Sequence, residues 1–211
     1  MTASPRGAVY STFEVGLDKM GVSAGSVTLL PCESYERFCR TPLWEVVEQP
    51  QGWDKLSQHS MVCKALVLMT EWLWRHQKQT ASILIFVAGE SEVFRMRNAI
   101  VLSEELEKVT WTWEVHALWG NCPWNVESEV RDRLDEHDFS SRFRALFLLL
   151  TDGKGADGWT PKANAMINCS EQIDLDDLGF LNKGTSDKVS NKQREGRIGR
   201  VTDGLVLHLE D

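Results

Sequence analysis

Two uninterrupted apolar runs constrain the fold of this chain more than anything else in its 211 residues: Ile83-Leu84-Ile85-Phe86-Val87 and Ala145-Leu146-Phe147-Leu148-Leu149-Leu150. A strand with one wet face alternates polar and apolar residues; a strand with no polar face needs cover on both sides. That pattern belongs to the interior of a parallel sheet, and the intervening elements agree with it. After the first run, Ala88 to Val93 turns into a helix expected over about 90–108. Trp111 to Ala117 alternates as a half-buried strand, and a second helix is expected over about 124–137. Ala165 to Asn168 and Gly204 to Leu209 read as further strands, and Ser26 to Leu30 as one more. Upstream of the first run, Ser57 to Lys78 reads as a helix with Val62, Leu66, Met69 and Leu73 on one stripe. Strands alternating with helices predict an α/β fold with a mainly parallel sheet and helices on both faces. Ligands of such sheets bind at the C-terminal strand ends, where Gly89 and Thr151 would lie.

The chemistry-bearing segment is near the C-terminus, where Gln193 to Arg200 reads Gln-Arg-Glu-Gly-Arg-Ile-Gly-Arg. If this segment is helical, Gln193, Arg197 and Arg200 fall within roughly 60° of one another. One helix face then offers an amide and two guanidinium forks to a common point, an arrangement suited to phosphate. Gly196 and Gly199 would let a neighbour or ligand approach the backbone closely. The plainer reading is a solvated basic helix end. Ser186 is expected to cap the helix that leads into the segment, with Lys188 to Lys192 in its first turns. Net charge is −8, which argues against a general polyanion binder. Yet residues 183–200 hold six basic side chains against Asp187 and Glu195, so a local phosphate site on an acidic body is expected.

The octapeptide matches every fixed position of motif VI of superfamily-2 helicases, Q-R-x-G-R-x-G-R, in its DEAH-box and viral NTPase/helicase form. The chain resembles the second RecA-like lobe of that family in its order of segments too. Residues 83–93 are similar to motif IV, an apolar strand leading to Gly89 and an acidic helix start. Thr151-Asp152 at the end of the second run resembles the start of motif V. The resemblance implies a three-layer RecA-like, P-loop NTPase-type domain over residues 57–211, with residues 1–56 as an unassigned N-terminal extension. It implies that Gln193 helps to position the attacking water and that Arg197 and Arg200 act as arginine fingers. Arg194 supports them at the nucleotide, and Gly89, Thr151 and Asp152 contact nucleic acid. The implied partners are RNA and a first RecA-like lobe, in the same polypeptide or in trans. ATP and Mg2+ would be held only together with that lobe, and no metal by this chain itself.

Departures from the family pattern are equally legible. Gly153 to Trp159 lacks the acidic and hydroxyl residues usual in motif V; its three glycines suit either a phosphate-wrapping loop or a slack surface turn. Asp135-Glu136-His137-Asp138 spells a Walker B tetrapeptide, but Glu129 to Leu134 before it is too charged for a buried strand, so a surface helix end is expected. No G-x-x-x-x-G-K-S/T occurs, so no phosphate cradle is present in these residues. The expectation is a second lobe that is inactive without a first; a catalytically dead, helicase-like scaffold is the alternative. Five cysteines without C-x-x-C pairing point to a reducing compartment, cytoplasmic or nuclear. No apolar run is long enough for a membrane span. Among nine tryptophans, Trp111 and Trp113 share a strand face, where core packing is favoured over base stacking.

Overall fold

The computed structural model describes residues 44–77, 80–137, 144–151, 161–175, 181–199 and 203–209. The expected strand at Ser26 to Leu30, together with Asp152, the glycine loop after it and Arg200, lies outside these residues. Six strands form one sheet: β1 (Trp44–Val47), β2 (Ser82–Phe86), β3 (Thr112–Leu118), β4 (Arg144–Leu150), β5 (Ala165–Asn168) and β8 (Gly204–His208). Their order is β1-β8-β5-β2-β4-β3, and every pairing is parallel. A separate antiparallel hairpin joins β6 (Glu171–Leu175) to β7 (Leu181–Thr185). The helices are α1 (Gln58–Trp72), α2 (Glu90–Val101), α3 (Glu104–Glu107), α4 (Trp124–Asp135) and α5 (Lys188–Glu195).

The apolar runs work as their composition requires. In β2, Ile83 and Ile85 turn to one face with Phe147, Leu149, Ile167, Leu205 and Leu207. Leu84 and Phe86 turn to the other with Leu146, Leu148, Leu150, Met166 and Val206. The period-two geometry of a strand thus divides one run between two cores. Helix α1 covers the first face through Val62, Leu66 and Met69, and α2 through Val93, Met96 and Ile100. The second face takes Val130 and Leu134 of α4, together with Ile198. The result is the three-layer α/β sandwich expected for a RecA-like domain. Fully burying each of these side chains stabilises the fold by about 1.5–3 kcal/mol before chain entropy is subtracted. Trp111 and Trp113 belong to the first core, set edge-on and stacked against Phe147 at 6.2 and 6.1 Å. Among the described residues no helix is long and apolar enough to cross a membrane.

Four boundaries differ from expectation. The sheet takes in β1, so residues 44–56, read above as part of the extension, contribute to the domain. The stripe helix ends at Trp72 and continues as a π turn, Leu73–Gln77, with Leu73 fully buried. The expected helix 90–108 breaks after Val101, because the Ser103 hydroxyl accepts the Leu106 N–H at 3.4 Å and starts α3 afresh. The β6–β7 hairpin was not anticipated: its strands carry no apolar run, and β7 is exposed along its length.

Candidate functional site at the C-terminal sheet edge

All six strands point one way, so their C-terminal ends form one edge. Backbone hydrogen bonds close that edge from strand to strand: Val87 N–H to Leu150 O (3.0 Å), Thr151 N–H to Leu118 O (3.3 Å), Cys169 N–H to Phe86 O (3.1 Å) and Leu209 N–H to Asn168 O (2.8 Å). Gly89 and Thr151 therefore share the edge, as their spacing predicts. Thr151 is buried, while Gly89 starts α2 by accepting the Glu92 and Val93 amides. A Cβ on Gly89 would stand 2.4 Å from Ile173 Cδ1, so the bare α-carbon leaves room for the root of the hairpin.

Helix α5 starts at the same edge, and the turn after it lies beside the start of β8. Its cap is Asp187 rather than Ser186: the Asp187 carboxylate accepts the Ser190 N–H at 2.6 Å. Hydrogen bonds from Ser190, the backbone one foremost, hold that carboxyl below its ordinary range. Ser186 is buried and donates its hydroxyl to Asn191 Oδ1 at 2.6 Å. The helix then stops at Glu195, with Gly196 as C-cap. Tight turns follow, in which the Arg197 N–H bonds Arg194 O and the Ile198 N–H bonds Glu195 O, both at 2.9 Å. Gly199 takes φ 75°, the left-handed region that favours glycine. The single helix face proposed for Gln193, Arg197 and Arg200 is thereby corrected. Gln193 is exposed on the helix, Arg197 is half-buried on the turn after it, and Arg200 lies outside the described residues.

What fixes this turn is apolar. Ile198 is fully buried in the second core, against Gly204, where a Cβ would come within 2.0 Å of Ile198 Cγ2. The motif's middle apolar residue therefore plugs the turn into the sheet, and the start of β8 is bare to receive it.

The helix itself is tied down by a buried polar network centred on Asn168, the last residue of β5. Asn168 is completely buried. Its Oδ1 accepts from Arg194 Nη1 and from the Ser170 N–H (3.2 Å); its Nδ2 donates to Asn191 Oδ1 (2.8 Å) and to His208 Nδ1 (2.9 Å). Two donors on Oδ1 forbid the flipped amide, so the NH2 group must face His208. His208 Nδ1 is then an acceptor, its proton sits on Nε2, and Nε2–H donates to Glu195 Oε1 at 3.1 Å. One asparagine thus sets the tautomer of a histidine and, through it, the end of α5.

Arg194 is the correction with most consequence. The resemblance placed it at the nucleotide, but its side chain is turned inward and buried. The guanidinium bonds Asn168 Oδ1 and Glu171 O (2.9 Å) and lies 5.4 Å from the Phe86 ring centroid. Its role in this arrangement is bracing, while the Gln193 side chain is exposed and that of Arg197 half-buried. Two clefts flank the network, sharing Ser170 and Asn191 in their walls. One, of about 530 Å³, lies between Val46–Gln49 and α5; the other, of about 490 Å³, lies against the hairpin. Ser170 between them adopts φ 50°, a strained conformation for a residue with a side chain.

The Walker B look-alike is a helix end: Asp135 closes α4 and Glu136 is its C-cap. Among the described residues no group of three or more histidine, cysteine, aspartate or glutamate side chains could hold a metal ion.

A six-stranded parallel sheet covered on both faces is a three-layer α/β fold of the RecA-like kind. The chain is similar to the DExH-box NTPase HrpB of E. coli, with a TM-score of 0.55 at 18% identity, over 79% of this chain and 19% of that one. It is similar to the Escherichia coli DEAH/RHA helicase HrpB with a TM-score of 0.57 at 17% identity, over 96% of this chain and 25% of that one. The chain thus spans a quarter or less of the length of these structures, and the likeness shows the fold. No protein-family model and no curated protein matches the sequence.

Proposed function

We propose that this domain acts as the second RecA-like lobe of a DEAH-like, ATP-dependent RNA helicase. The observation that carries the reading is the placement of the Gln193–Gly199 segment. A motif matched at every fixed position in the sequence begins on a helix tied to the C-terminal end of β5 and passes into a turn beside the start of β8, its turn pinned by Ile198 and its helix by Arg194. In this reading a first lobe holds ATP and Mg2+. Gln193 orients the attacking water. Arg197 and Arg200 meet the γ-phosphate from outside and stabilise the charge that develops as it transfers, an effect worth orders of magnitude in rate. In the same reading Gly89, Thr151 and Asp152 contact the nucleic-acid backbone.

A second reading, a scaffold module without catalysis, draws on the divergent residues 153–159 that follow Thr151. The two separate by reconstitution. The purified chain alone is expected to leave ATP unhydrolysed. Mixed with, or fused to, a first lobe carrying a Walker A lysine, it should support RNA-stimulated turnover. Turnover no faster than that of the first lobe alone would favour the scaffold.

A further inference from the structure

The β6–β7 hairpin stands off the sheet with little apolar anchorage: β7 is exposed throughout, and Ile173 and Leu181 are 39% and 72% exposed. Its attachment is at the root. Glu171 O accepts from Arg194 Nη2, Ser170 O accepts the Ser186 N–H at 2.8 Å, and Ile173 rests on Gly89. Within the hairpin, Lys183 Nζ pairs with Glu171 Oε1 at 2.7 Å. Arg194 is the residue common to both sides of this junction. Its guanidinium holds the end of β5 and the first residue of β6, while its backbone carbonyl accepts the Arg197 N–H. One residue therefore spans from the turn that bears Arg197 to the root of the hairpin. Its acceptors on Asn168 and Glu171 belong to different elements, so the planar fork links the two.

We propose that Arg194 is a positioning residue that couples the β6–β7 hairpin to the Arg197 turn, so that a phosphate drawing on that turn is felt at the hairpin. The coupling rests on the nucleotide-facing role given to Arg197 above, but its mechanical half is testable without it. Lysine at 194 keeps the charge and loses the fork.

The test is hydrogen exchange, followed by mass spectrometry, on the full 211-residue chain and its Arg194→Lys variant, each joined to a first RecA-like lobe, with and without millimolar ATP. In the variant, amides of Gln172 to Leu175, of Leu181 to Thr185 and of the Arg197 turn should exchange about tenfold faster or more, with β2 and β4 unchanged. ATP should alter exchange at both the turn and the hairpin in the unmodified chain, and at the turn alone in the variant. Hairpin exchange that ignores Arg194→Lys, or that responds to ATP equally in both proteins, overturns the coupling. Should ATP alter neither region of the unmodified chain, the phosphate-facing reading of Arg197 fails, and the ATP-free comparison alone decides the mechanical half. If the variant does not fold, the unmodified chain in dilute urea serves. The hairpin and turn amides should then open with one common urea dependence, distinct from that of β2 and β4, and separate dependences would overturn the proposal.

Discussion

Replacing Asn168 with alanine should be among the costliest single substitutions outside the apolar cores. The side chain is fully buried and its hydrogen-bonding capacity is filled: two donors on Oδ1 and two acceptors facing Nδ2. Truncation strands all four partners, but unequally. Half-buried Asn191 and partly accessible His208 can turn to water. Buried Arg194 loses an acceptor for a charged donor, worth about 1.5–3 kcal/mol, and the strained Ser170 loses the acceptor for its N–H, worth about 1–2 kcal/mol. With a small cavity term the sum is about 3–5 kcal/mol, a large fraction of the ~5–15 kcal/mol by which a domain is typically stable. Urea unfolding followed by tryptophan fluorescence reads it directly, as a fall in midpoint at constant slope. A loss below about 1 kcal/mol, with the slope unchanged, would refute the argument that this one amide holds α5 to the sheet.

Other consequences follow from the same geometry. Gly204→Ala should cost about 1–3 kcal/mol by driving a methyl group into Ile198, and combining it with Ile198→Ala should cost clearly less than the sum of the two, as a double-mutant cycle by urea denaturation will show. At the far edge of the sheet, burial alone would raise the Glu114 carboxyl, but hydrogen bonds with Arg144, His116 and Arg133 prevail and hold it at about 2 instead of 4.5. A depressed folded-state value stabilises above the unfolded one, so the advantage of the native chain over Glu114→Gln should be full above about pH 5 and vanish as pH falls toward 2. Parallel thermal melts across that range measure it, and a constant difference would contradict the assignment.

What could be read from the residues, and what could not, has a physical pattern. β2 and β4 were legible because a strand buried on both faces must be apolar throughout. β1 is four residues long with Val46 and Val47 exposed, and β6–β7 is a polar hairpin, so neither produces a periodicity strong enough to register. The helix-wheel reading of the octapeptide failed because it assumed the helix continued; Gly196 caps it and Gly199 takes φ 75°, and the two glycines three residues apart were the available signal. Ser186 and Asp187 are both good caps, and the choice between them was made by tertiary structure, since Asn191 claims the serine hydroxyl. Asn168 and His208 went unnoticed although each ends a buried apolar strand with a polar residue. A polar side chain in that position must find partners, and here they find each other. Arg194 looked like a ligand residue because a motif records which residues recur and is silent on which way they face.

In the proposed function the Arg197 turn presents its guanidinium to a nucleotide held by another lobe. The most direct test is steady-state ATP turnover by the chain joined to a first RecA-like lobe, comparing Arg197→Lys and Arg200→Lys with the unmodified protein. Lysine keeps the charge but not the fork, so kcat should fall by about two orders of magnitude or more in each variant, with KM for ATP changed far less. Turnover that is unchanged in both would contradict the arginine-finger assignment.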